Sequence, residues 1–157
     1  MTEQETPLAS IEQQLAEQGF FVSTTVGVSM RPMLRNRRDR VIVLPLGSER
    51  LKKYDLPLYR RSDGRYILHR IIGVRDSSYV IRGDNTYCKE YVPDEQILGV
   101  VSEFYRGGKH HRTDARGYRA YARFWNLIYP IRYVYHLGRS LAAAVWHRIK
   151  PKKKEAQ

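Results

Sequence analysis

The chain has 157 residues, a formal charge of +12 at pH 7 and a single cysteine. That length suits one compact domain with its own core, and the lone Cys88 excludes an internal disulfide and a cysteine-based metal framework. The excess charge is uneven: between Arg112 and Gln157 eleven Lys or Arg stand against Asp114 and Glu155. Such a block favours an anionic partner, phospholipid or nucleic acid.

No basic-then-apolar segment opens the sequence, so neither a secretory signal nor an N-terminal membrane anchor is expected. Leu8, Ile11 and Leu15 recur at helical spacing, with Ser10 and Gln13 in a capping-box arrangement and Gly19 as a stop. A short helical segment over residues 1–20, covering one edge of a sheet, is the expectation. Residues 21–26 then read as a strand, ended by Gly27-Val28-Ser29-Met30-Arg31-Pro32, and residues 35–40 as a charged turn. Val41 to Leu44 is short and wholly apolar, the pattern of a strand buried on both faces. Pro57 marks residues 56–60 as an edge or irregular strand. Ser62-Asp63-Gly64 is a hairpin turn, and residues 65–74 return as one long strand. Asp76 to Ser78 turn the chain into residues 79–82, Gly83-Asp84-Asn85 ends that strand, and a last strand covers about residues 96–105. Short strands with frequent turns predict a mainly β fold, a coiled, partly open barrel over residues 21–108.

Residues 109–157 change pattern. His110 and His111 are adjacent, which does not suit a metal-ligand set, and they read as exposed loop residues. Tyr118, Tyr121, Phe124, Trp125, Ile128 and Tyr129 recur at helical steps with Arg116, Arg119 and Arg123 between them. Pro130 breaks or kinks the run, and a second helix over residues 133–149 carries Val134, Leu137, Leu141 and Val145 before a basic run at 150–154. Arg132, His136 and Arg139 argue against a membrane span. Two uses of this tail stay open: lying on an anionic lipid surface, or packing onto the domain or a protein partner. The helical periodicity argues against a nucleic-acid partner.

A hydroxyl at a strand end on a tight turn, as at Ser29, is where a nucleophile can meet a carbonyl. The box Gly27-Val-Ser-Met-Arg-Pro32 resembles the nucleophile box of the signal peptidase I-like serine peptidases. The likeness continues in order at Asp39-Arg-Val-Ile-Val43, Lys53-Tyr-Asp55, Leu68-His-Arg-Ile-Ile72, Ile81-Arg-Gly-Asp-Asn85 and Ile97-Leu-Gly-Val-Val101, over roughly residues 22–105. Where bacterial members use lysine as base this chain has His69, so it is similar to the histidine branch. The resemblance implies a serine endopeptidase in which Ser29 attacks, His69 takes the proton and Asp84 orients the imidazole. A second acid is left open between Glu90 and Asp94. Gly27, Met30 and Pro32 would flank the substrate and the oxyanion, whose main donor would be the Ser29 N–H.

What the resemblance implies further is an extended peptide or precursor-protein substrate paired with strands beside the serine, cut next to a small residue. No cofactor or metal is expected. Arg38 and Tyr54 stand where the family has glycines, which keeps a catalytically degenerate, membrane-surface or partner-binding module as the alternative. The self-cleaving repressors share the serine box, but the 28 residues before Ser29 are too few for their DNA-binding domain. With no anchor in view, the expected location is cytoplasmic, or peripheral on the inner face of the membrane.

Overall fold

The computed structural model describes residues 10–149. Leu8 and the basic run at 150–154 lie outside the described residues, as does the side chain of Val145. The first helix, α1 (Ile11–Gln18), begins with the expected capping box: Ser10 Oγ accepts from Gln13 N–H, and the Gln13 side chain accepts from Ser10 N–H. Gly19 ends it with φ at 74°. The helix buries Leu15 and packs on β1 (Phe21–Thr24) and β2 (Arg40–Pro45).

In β2 only Val41 and Val43 are fully buried, while Leu44 is exposed. The apolar run therefore covers one face of a sheet, not two. β3 (Pro57–Arg60) is an interior strand rather than an edge, but it is irregular, its register against the later strand over 97–106 shifting between Leu58 and Tyr59. Pro57 is tolerated there as the first residue of the strand, where no ladder donor is required of it. The single strand expected over residues 65–74 is two strands, β4 (Tyr66–Leu68) and β5 (Arg70–Val74), interrupted at His69.

β5 turns back into β6 (Ser78–Arg82), which pairs with β7 (Glu90–Pro93). After a short 3₁₀ turn comes β8 (Ile97–Arg106), ten residues long, and then β9 (Lys109–Arg112). His110 and His111 are thus strand residues, exposed on β9: His110 meets Glu103, and His111 stacks on Phe104. The larger sheet has six strands in the order β1-β2-β8-β3-β4, with β9 added on β8. β5-β6-β7 form a smaller sheet. All pairings are antiparallel.

The fold is mixed but mostly β: a curled half-barrel, a small sheet, the N-terminal helix and two C-terminal helices. Each sheet carries its own apolar cluster, Val43, Leu56, Val101 and Phe104 in the larger one and Tyr59, Ile71, Ile81 and Val92 by the smaller.

The C-terminal helices are α2 (Arg116–Leu127) and α3 (Tyr129–Ile149). Tyr118 of α2 is buried in the larger cluster. The rings at 118, 121, 125 and 129 turn toward the β domain, and of the aromatic rings in that helical run only Phe124 is exposed. Two turns hold a left-handed residue without glycine, Arg37 at φ 55° and Tyr54 at φ 83°. Both bends are therefore kept without a glycine at Arg38 or Tyr54. Tyr54 is held in place because its N–H donates to Ile71 C=O and its own C=O accepts from Tyr118 and Arg70.

Candidate active site

Ser29 lies on a turn between β1 and β2, in a loop closed by two residues. Thr25 bonds to the carbonyls of Arg35 and Asp39, and the buried Asp39 carboxylate accepts from the N–H and guanidinium of Arg35. Gly27 bends the chain at φ 100°, a conformation that disfavours any side chain, and donates its N–H to Asn36 Oδ1 at 2.8 Å. From there the backbone makes one helical turn: Arg31 N–H donates to Val28 C=O, and Leu34 N–H to Met30 C=O. The N–H groups of Ser29 and Met30 open that turn and bond to no other group among the described residues. They are the free donors that a helical first turn leaves over. Gly27 N–H, by contrast, is already occupied by Asn36. Pro32 is exposed and outside the cavity wall.

His69 occupies the break between β4 and β5, where the chain crosses from the larger sheet to the smaller one. Its side chain is 8 % exposed. Nδ1 is 3.3 Å from Glu90 Oε1 and 3.4 Å from Tyr59 Oη. A carboxylate only accepts, so the nitrogen facing Glu90 carries the hydrogen and Nε2 keeps its lone pair in the neutral ring. Glu90 is fixed in turn: Arg61 reaches it with Nε at 2.7 Å and also with Nη2, and Tyr59 Oη donates at 3.0 Å. Burial pushes the Glu90 carboxyl up, but the Arg61 and Tyr59 hydrogen bonds outweigh it and hold the group below the usual range. Burial is also the main cause of a lowered His69 pKa, opposed by the Glu90 charge.

The serine turn meets the histidine at Gly83. A Cβ there would stand 2.8 Å from Ser29 C=O, closer than real Cβ contacts, and 3.0 Å from His69 Nε2, tighter than nearly all of them. The Ser29 carbonyl and His69 Nε2 thus both lie against Gly83, in space that a side chain there would take. The following residue completes the join: Asn85 N–H donates to Ser29 C=O at 2.7 Å, and Asn85 Nδ2 to Val28 C=O at 3.3 Å. Gly83→Ala is expected to lower stability by roughly 1–3 kcal/mol. If the site is catalytic, it should also lower turnover by about 10²-fold, the scale of a misplacement near 1 Å. Parallel unfolding and rate measurements check this, and an unchanged rate would mean that Ser29 and His69 do not depend on the close approach.

Asp84 sits elsewhere in this arrangement. Its carboxylate makes a bidentate pair with Arg70, Nε at 2.7 Å and Nη2 at 2.8 Å, and accepts from Tyr121 Oη at 3.1 Å. None of its hydrogen bonds goes to His69 among the described residues. The acid on His69 Nδ1 is Glu90, while Asp94 pairs with Arg50 at the surface. Asp84 C=O also accepts from Trp125 Nε1 at 2.9 Å and Arg132 Nη2 at 2.6 Å, so α2 and α3 clamp the loop that holds Ser29.

Ser29, Gly27, Met30 and His69 all border one cavity of about 210 Å³. Its sides are β1 with Thr25 and Val26, and β4; its apolar floor includes Leu34, Val43 and Leu58; Ile11 of α1 contributes at one margin. β1 and β4 end the path of the larger sheet, so each is paired on one side only. Glu12 of α1 accepts from Tyr66 of β4 across the gap.

Tyr59, Arg61, Asn36 and Asn85 were not expected at the site. Each reaches it through a contact with no local pattern, Arg61 meeting Glu90 across 29 positions in sequence. No known protein family matches this chain, and no curated protein matches it.

Proposed function

We propose that this chain is a serine endopeptidase resembling the signal peptidases of the histidine branch. The observation that carries the reading is the join at Gly83, against which lie both the carbonyl of Ser29, in a turn with two unused N–H donors, and Nε2 of a buried, acid-braced histidine. In this reading His69 Nε2 takes the Ser29 hydroxyl proton as Oγ attacks a peptide carbonyl. The developing oxyanion accepts from the N–H groups of Ser29 and Met30, and the imidazolium is stabilised by Glu90. His69 then returns the proton to the leaving amine, and water repeats the sequence on the acyl-enzyme.

The substrate is a peptide or precursor protein, cut next to a small residue. Two half-paired edge strands, β1 and β4, border the cavity beside Ser29. An extended segment laid there would gain main-chain hydrogen bonds with little sequence dependence, and side chains would be sorted by the small apolar floor. The location that goes with this reading is cytoplasmic, or peripheral on the inner face of the membrane.

Intact-mass analysis of a diverse peptide pool, incubated with the protein across a pH series, tests the proposal. Cuts next to small residues are expected. Only neutral His69 can act as base, and its pKa is lowered from 6.5. Activity should therefore persist below the ordinary histidine range and fall only as pH drops through the lowered pKa. A pool left intact at every pH, with lipid vesicles supplied as well, would sink the reading.

A further inference from the structure

The outer face of the two C-terminal helices carries large apolar side chains that stand exposed among the described residues. Tyr118, Trp125, Tyr129 and Arg132 face the β domain, and one half-turn away Phe124, Leu127, Ile131, Val134 and Leu141 are 58, 76, 73, 68 and 61 % exposed. Steps of three, four, three and seven residues put these five on one stripe. A continuous apolar stripe of this length marks a surface that is covered in use.

Charge selects the occupant. No Asp or Glu occurs between Asp114 and Glu155, whereas Arg116, Arg119, Arg123 and Arg139 are exposed on these helices and four lysines follow by position 154. A second copy laid on the stripe would bring like charges together with no acid on either helix to offset them. Nucleic acid would be gripped by exposed rings between the cations, but most of the rings of α2 are turned inward and the stripe is largely aliphatic. An anionic lipid surface matches both features, apolar chains for the acyl boundary and arginines for the phosphates. No helix among the described residues is long and apolar enough to cross a membrane.

We propose that α2 and α3 lie flat on an anionic lipid surface, with the stripe from Phe124 to Leu141 embedded in it. The opposite side of the same helices clamps the Asp84 loop through Trp125 and Arg132. The site around Ser29 then stands about one helix diameter, roughly 10–12 Å, above the lipid. Under the peptidase reading, and only under it, this favours substrates whose scissile bond lies close to a membrane.

Flotation of the full chain with vesicles of phosphatidylcholine, with and without phosphatidylglycerol, tests the docking without any need for activity. Expected is co-flotation with the anionic vesicles only. Leu127→Glu/Ile131→Glu should cut the bound fraction at least roughly tenfold, whereas Val74→Glu, an exposed apolar site on β5, should leave it unchanged. Circular dichroism confirms that each variant is folded. The proposal is overturned if the wild type stays with the soluble fraction, or if the double variant floats as well as the wild type. A dimer in sedimentation that the double variant disperses would overturn it too, by assigning the stripe to a second copy.

Discussion

Ser29→Ala is expected to lower kcat by roughly 10⁴-fold or more, and His69→Ala by a similar factor, with the double variant no slower than either. On the proposed mechanism the losses would not add, because the two groups would perform one act, the transfer of the hydroxyl proton as the carbon–oxygen bond forms. Glu90→Gln should lie between these and wild type, roughly 10²- to 10⁴-fold down. The amide can still meet Nδ1, but it supplies no charge to the imidazolium and does not enforce the tautomer. Its signature is in the pH profile. The Glu90 charge raises the His69 pKa against burial, so removing it lowers that pKa further and moves the acid limb to lower pH. A residue that merely supported the fold would reduce the rate without moving the limb. Single-turnover rates across pH, on variants shown to be folded, provide the readout. Undiminished cleavage by Ser29→Ala would reject the nucleophile, and an unmoved limb in Glu90→Gln would reject the orienting acid.

Asp84→Asn is expected to produce a different kind of loss, in stability. Arg70 is 1 % exposed and Asp84 5 %, and the two form a bidentate pair. Removing one charge of a buried pair strands the other, a cost of roughly 3–5 kcal/mol. For a chain of this size that is a fall in Tm of roughly 6–20 °C. The damage should spread to α2, because Tyr118 Oη accepts from Arg70 and donates to Tyr54 C=O, while Tyr121 donates to Asp84. Burial pushes the Tyr118 hydroxyl up to about 12, so it remains a donor throughout the physiological range. Replacing both charges with apolar residues of similar volume should cost less than Asp84→Asn alone, since no charge is left unpaired. Urea unfolding of the two variants decides the matter. A loss below about 1 kcal/mol for Asp84→Asn would put the pair in the class of weak surface ion pairs. Conversely, if Asp84→Asn lost turnover below its melting transition while Glu90→Gln cleaved like wild type, Asp84 would be the orienting acid after all.

The two carboxylates show where the sequence was legible and where it was not. Asp84 stands in a recognisable Gly-Asp-Asn block, and its nearness to His69 could be expected from order along the chain. Which cation it would meet could not, because Arg70 adjoins His69 and consecutive residues around a strand break point to different sides of it. Glu90 was one of two acids at uncertain register. Its place follows from the pairing of β7 with β6 and from Arg61 arriving off β3, both long-range contacts without any periodic trace.

By itself the sequence determined what local chemistry controls: the capped helix at Ser10 with its Gly19 stop, most of the strands, the serine turn after Gly27, and the helical repeat beyond residue 115. These follow from side-chain period, turn residues and capping groups within a few positions of one another. Only the tertiary structure decided what depends on distant partners. It broke the 65–74 strand at His69 because the two halves pair in different sheets, made β3 interior, and brought Glu90 rather than Asp84 onto the imidazole. It also turned Tyr118, Tyr121 and Trp125 inward onto Arg70 and Asp84, leaving the stripe from Phe124 to Leu141 outside. A helix repeat fixes which residues share a face, but only a docked neighbour fixes which face is covered.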